Sequence, residues 1–165
     1  MRRVRAFAAN GVPTEDAEEA AFSTWLDYNH IFHSHLSNEI WTTSYSQKQK
    51  MKMLGVHSGT PDHYCVLYDR KNKITRLVFI EMKRQKGGVI SDSQYRTINE
   101  INRCHGVFAF VAYGATQAIN ICKAVMSGDE EYLSERLDEF EKKYLKNQEK
   151  IIKKYEKRKK EENPF

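Results

Sequence analysis

Phe22, Trp25, Leu26 and Ile31 recur at helical spacing, and the stretch before them carries Glu15, Asp16, Glu18 and Glu19. Apolar positions at that period make one stripe of a helix, and acids in the opening turns suit the positive end of its dipole. With Gly11-Val12-Pro13-Thr14 as turn and N-cap, the pattern predicts a first helix over residues 15–32. Glu18 lies four positions before Phe22 and seven before Trp25, so it shares the apolar stripe. A carboxylate there is either a partly exposed first-turn acid or one held inward for a purpose.

Phe32 to Asn38 reads as a short extended segment, and Thr42 to Lys52 is polar and basic with no strong period. Gly55 to Pro61 is a loop by composition. Tyr64-Cys65-Val66-Leu67-Tyr68 and Arg76-Leu77-Val78-Phe79-Ile80-Glu81-Met82 read as strands, and the turn-rich Asp69-Arg70-Lys71-Asn72-Lys73 between them makes a hairpin. Gly87-Gly88 breaks the chain, and Ser91 with Gln94 is a capping box opening a helix through about Cys104, which Gly106 ends. Val107 to Tyr113 is a buried strand, and Thr116 to Met126 a helix with Ala118, Ile119, Cys122 and Val125 on one face.

Ser127 and Glu130 suggest another capping box, opening a helix that reaches Glu162. About 34 helical residues would span ~50 Å. Leu133, Leu137, Phe140, Tyr144, Ile151 and Tyr155 alternate by threes and fours, with Gln148 interrupting the seam. The half up to Tyr144 is expected to pack on the chain's own core or on a second copy, as a homodimer. The more basic half beyond Lys150 either reaches a nucleic acid or frays.

A length of 165 residues fits one domain with an appendage: a basic segment 1–13, a core domain 14–126 and a charged C-terminal helix 127–165. At 40% hydrophobic and 30% charged residues, the chain is too apolar for disorder and too charged for a membrane protein. No run approaches the ~18 apolar residues of a membrane span, and the start lacks a secretory pattern, so a cytoplasmic setting is expected. Cys65, Cys104 and Cys122 match no disulfide framework or zinc spacing and read as reduced, mostly buried thiols. The net charge of +5 lies entirely in residues 141–165, which hold 10 basic and 5 acidic residues. Such a tail is compatible with a polyanion, although charge runs are often solvated helix faces.

The chemistry gathers at one end of the hairpin. Asp62 opens its first strand after Gly59-Thr60-Pro61, while Glu81 and Lys83 flank Met82 where the second strand ends. Antiparallel pairing brings the start of one strand beside the end of the other, and residues two apart share a face. Two clustered carboxylates repel unless a cation intervenes, and oxygen ligands suit magnesium or manganese. A lysine beside such an ion can orient or help deprotonate water, or stabilise developing negative charge. Phosphodiester hydrolysis is the reaction implied, and a solvated Glu-Lys pair with Asp62 capping a turn is the alternative.

Gly59-Thr60-Pro61-Asp62, Ile80-Glu81-Met82-Lys83 and Ser91-Asp92-Ser93-Gln94, in this order, resemble the PD-(D/E)xK nuclease superfamily and within it the virus-type replication-repair nuclease (VRR-NUC) domain. His35-Leu36-Ser37-Asn38-Glu39 is similar to a short extended motif of those domains, and Lys52 to Val56 precedes the Gly-x-Pro-Asp motif as expected. The resemblance covers residues 14–126. It implies a restriction-endonuclease-like α/β core of α-β-β-β-α-β type, a mixed sheet flanked by helices, here with a long C-terminal helical extension. It further implies a Mg2+- or Mn2+-dependent DNA endonuclease that leaves 5′-phosphate and 3′-hydroxyl ends, in a phage or bacterial setting. By position, Asp62, Glu81 and the backbone carbonyl of Met82 would hold the metal and Lys83 would be the catalytic lysine. Gln94 would line the site, a role compatible with capping. Glu18 matches the first-helix acid, with Glu19 in its place if the register slips by one. Two features depart from the pattern: His63, read as an exposed strand residue or a substrate contact, stands where leucine is common, and the long basic helix is extra.

Lys48, Lys50, Lys52, Arg84 and Lys86 flank the site and are candidate phosphate contacts. His30, His33 and His35 crowd together, but their spacing fits no single helix face and no cysteine is near, which argues against zinc. Two other readings stand beside the nuclease: a non-catalytic nucleic-acid-binding module of the same fold, and an interaction protein dominated by its long helix. No helix-turn-helix or zinc-finger signature indicates how bases would be read.

Overall fold

The computed structural model describes residues 11–36, 44–55 and 58–162, excepting the side chains at 48, 51, 52 and 157–162. The first helix, α1 (Glu15–Tyr28), starts where the Thr14 hydroxyl accepts the Ala17 N–H at 3.3 Å. It ends four residues short of the expected boundary, because His30 takes a left-handed φ of 55° that turns the chain into strand β1 (His33–His35).

Helix α2 (Tyr45–Met53) forms where the sequence pattern suggested no regular element. Its lysines, glutamines and methionines are good helix formers, but no apolar stripe marks it. The expectation for residues 37–43 falls outside the described residues.

The hairpin consists of β2 (His63–Asp69) and β3 (Ile74–Lys83). Its turn closes on Asp69, whose carboxylate accepts the Asn72 N–H at 3.0 Å and the Asn72 side-chain amide at 2.9 Å. The chain then crosses through α3 (Asp92–Asn102) to β4 (Val107–Tyr113), which pairs parallel with β3. The expected capping box at Ser91 and Gln94 is present. The sheet order is β1-β2-β3-β4, with the first two pairings antiparallel. This is the expected mixed α/β sheet flanked by helices.

Strand alternation divides the core. Val78, Ile80 and Met82 face α1, through Phe22 and Leu26, and α4 (Ala115–Ser127), through Ala118, Ile121, Cys122 and Val125. Phe79 faces the other side, where Ala109 and Val111 meet Ile98 of α3. By the same alternation Glu81 and Lys83 emerge on that second side. Cys65 and Cys122 are buried free thiols with sulfurs 4.0 Å apart and Cys104 is an exposed one, in keeping with the expectation of reduced, mostly buried thiols.

The last helix, α5 (Glu130–Glu162), runs for 33 residues. Ser127 does not cap it: that residue ends α4, its hydroxyl donating to the Ala124 carbonyl, and Gly128 turns the chain at a left-handed φ of 68°. Asp129 takes over, accepting the Tyr132 N–H at 3.1 Å. Leu133 packs into the α1/α4 layer and Phe140 into the α3 layer. Tyr144 stacks on Tyr95 with ring centroids 3.7 Å apart and donates its hydroxyl to Asp92 at 3.0 Å. Gln148, which interrupts the apolar seam, donates to the same Asp92 at 2.6 Å. Ile151, Ile152 and Tyr155 beyond it are exposed. Among the described residues, no helix is long and apolar enough to cross a membrane.

Candidate active site

The pairing of His63 with Ile80 places Asp62 level with Glu81. Asp62 Oδ2 accepts the Met82 N–H at 2.8 Å, which ties the entrance of β2 to the exit of β3. Gly59 packs directly on the start of α3: a Cβ there would lie 2.6 Å from Ser93 O and 2.7 Å from Gln94 N, and its φ is +90°. Only glycine combines that conformation with so close an approach. The Gly59 loop, the hairpin end and the α3 N-terminus are thereby drawn together.

Glu81 is 1% exposed, and its carboxyl is pushed up to about 7 by burial first and the Asp62 charge second. Lys83 Nζ lies 2.5 Å from Glu81 Oε1, and the Gln94 side-chain amide donates to that same oxygen. Glu81 Oε2 is buried with no hydrogen-bond partner among the described residues. Burial also raises the Asp62 carboxyl above its usual range. Burial would lower the Lys83 ammonium, but the charge and hydrogen bond of Glu81, with Glu15 and Asp62 behind them, hold it above its ordinary value. The chain therefore presents a buried, unpartnered carboxylate oxygen beside a second carboxylate. Two hard oxygen donors whose mutual repulsion is only partly offset fit a small divalent cation.

The first helix contributes differently from the expectation. Glu15 Oε1 lies 3.4 Å from Lys83 Nζ. Glu18 is buried, the inward one of the two readings its spacing left open, and both its oxygens are engaged, accepting the Ala115 N–H at 2.7 Å and the Gln85 amide at 2.6 Å. A carboxylate accepting at the start of α4 is an N-terminal cap supplied from a distant helix. Glu19, the alternative register, has its carboxyl pushed up to about 7 by burial and by the Asp62 charge. Acid spacing alone does not distinguish these three residues. What separates them is where β3 and α4 end relative to the first turns of α1.

His63 is 1% exposed, which corrects its reading as an exposed strand residue. It points into the layer beneath α1 and meets Phe22 edge-on. Of the crowded histidines, His33 contacts Asp27 at 2.9 Å, while His35 Nε2 lies 3.2 Å from Glu19 Oε2.

Arg84 and Lys86 are exposed after β3, and Lys50 is exposed on α2; the side chains of Lys48 and Lys52 lie outside the described residues. A second set of cations comes from α5. Lys143, Lys146 and Lys150 line a cleft of about 330 Å3 with Gln85, Gly87 and Tyr113. Tyr113 is the register partner of Lys83, so the cleft opens at the same end of the sheet. Lys143 Nζ sits 3.6 Å above the Tyr113 ring and pairs with Glu139 at 2.7 Å. The sequence showed the basic excess of this helix but not that its middle turns line a cleft at this end of the sheet.

A solved structure described as a VRR_NUC domain protein has the same fold, with a TM-score of 0.50 and 20% sequence identity over 68% of this chain and 88% of that chain. No family model matches the sequence, and no curated protein matches it. The restriction-endonuclease-like α/β architecture of the VRR-NUC domain is thus the fold of this chain.

Proposed function

We propose that the chain is a Mg2+- or Mn2+-dependent endonuclease that hydrolyses phosphodiester bonds in DNA. The observation that carries this reading is the unpartnered buried oxygen of Glu81, set beside Asp62 while Lys83 and Gln94 hold the other oxygen. Asp62, Glu81 and the Met82 carbonyl would hold the ion. When bound, a hard divalent ion supplies Lewis acidity, acidifying water and offsetting the negative charge of the phosphate.

The side chains do the rest. Gln94 and Lys83 fix the Glu81 carboxylate so that its second oxygen keeps one direction. Lys83 is a cation at neutral pH, because its acidic neighbours keep its proton on. Its work is accordingly electrostatic: it holds the attacking water by a donated hydrogen bond or stabilises charge developing on the phosphoryl oxygens. Exposed Arg84 and Lys86, just past Lys83, and the cleft lysines Lys146 and Lys150 are the candidate contacts for a sugar-phosphate backbone.

Labelled linear, nicked, flap and four-way DNA incubated with magnesium, manganese or chelator tests this reading. Cleavage that needs the metal and disappears in Asp62→Asn and Glu81→Gln, with DNA affinity retained, is the expected result. Binding without cleavage by the wild-type chain under every condition would instead establish the second reading, a DNA-binding module of nuclease fold, which the lysine-lined cleft also supports.

A further inference from the structure

We propose that Glu19, His35 and His63 form a second metal site, separate from the Asp62 and Glu81 pair, that takes a zinc-class transition ion. Glu19 stands one helical turn after Glu15, so while Glu15 reaches Lys83, Glu19 reaches the outer strands. There the antiparallel register sets His35 directly opposite His63. Cross-strand neighbours have Cβ atoms only ~4.5–5.5 Å apart, so both imidazoles meet the same carboxylate.

Glu19 Oε2 lies 3.2 Å from His35 Nε2 and 3.9 Å from His63 Nε2, and one donor atom from each of the three residues falls within 4.8 Å of the others. Bonds of ~2.1 Å at tetrahedral angles put neighbouring ligand atoms about 3.4 Å apart, a separation these distances straddle. Small rotations of Glu19 and His35 would close the set on an ion.

The decisive residue is His63. It is 1% exposed, and neither ring nitrogen has a hydrogen-bond partner among the described residues. A plain ion pair between Glu19 and His35, whose side chain is 47% exposed, accounts for the 3.2 Å contact but leaves His63 unexplained. Buried imidazole nitrogens without a partner are rare and costly. A bound ion would engage the His63 Nε2, which lies 3.9 Å from Glu19 Oε2.

Ligand chemistry sets the class of ion. Two imidazoles and one carboxylate suit zinc or cobalt, whereas magnesium favours oxygen alone. Three protein ligands also leave a position open to water. His63 lies on the α1 side of the sheet and Glu81 on the α3 side, so the two sites need not compete for one ion.

The test uses the full chain, stripped with chelator and titrated with Co2+ in excess Mg2+, read by visible absorption and by the bound stoichiometry. The wild type should bind one Co2+ with the intense bands of four- or five-coordination. His35→Asn, at a half-exposed position, and Glu19→Gln should weaken binding by more than about a hundredfold, beyond what loss of a supporting contact gives. His63→Asn should do the same, and thermal melts check that each variant is folded. Glu81→Gln should leave the bands unchanged. The site is refuted if His35→Asn binds Co2+ like the wild type, if the bands vanish only in the Glu81 variant, or if Mg2+ displaces Co2+. Absence of nuclease activity would not alter any of these readings, so the two proposals fail separately.

Discussion

Lys83 Nζ and Glu81 Oε1 stand 2.5 Å apart, with Met82 alone between the two residues in the chain. Strand geometry makes this pairing, since alternate side chains share a face. Lys83→Met keeps much of the side chain's length and removes the charge. Cleavage measured in single turnover should fall by about 10²–10⁴-fold, the range for loss of a positioned proton-transfer or charge-stabilising group. DNA affinity should change by no more than a few-fold. A loss below tenfold would refute an electrostatic role for this lysine.

Stability should carry the mark of Glu81. Its folded pKa of about 7 exceeds the ordinary carboxylate value, so between about pH 4.5 and 7 the native state binds more protons than the unfolded chain. That contribution lowers stability as pH rises through the window. Glu81→Gln removes the titration, and in metal-free buffer its melting temperature relative to the wild type should climb from pH 5 to pH 8. A constant difference would show that Glu81 titrates normally.

Gly59→Ala should disturb the site without touching a charged group. The added methyl meets the Ser93 and Gln94 backbone, and a φ of +90° is strained for alanine. Strain of this kind costs about 1–3 kcal/mol before the clash is counted. Thermal melts should register it, and cleavage should drop further than stability alone explains, because Gln94 moves away from Glu81.

For Lys146 and Lys150, the salt dependence of binding is the informative quantity. Each lysine that neutralises a phosphate contributes about 0.9 to the slope of log affinity against log salt on duplex DNA. Lys146→Gln and Lys150→Gln should each flatten the slope by about that amount and leave the rate at saturating DNA unchanged. An unaltered slope would remove the cleft from the path of the DNA.

The strands and most helices were legible because their apolar periods coincide with burial: Val78, Ile80 and Met82, or Ala118, Cys122 and Val125, occupy the layers that the pattern implied. Asp62 and Glu81 could be brought together on paper because a hairpin has one register once its turn is placed. Helix α2 was illegible because its sequence, YSQKQKMKM, carries no apolar stripe. The partner of Glu18 was illegible for another reason: it accepts from a helix start 97 residues away, a pairing that only the folded topology creates. The joining of His35 to His63 likewise depends on β1 lying at the sheet edge, which a three-residue strand barely announces.

Helix α5 places Leu133 in one core layer and Phe140, two turns later, in the other. It is therefore a rivet through the molecule's edge and not a detachable appendage. Farther along, Tyr144 and Gln148 grip Asp92, the first residue of the helix that carries Gln94. A partner pulling on the outer turns would strain that grip two residues from the amide touching Glu81.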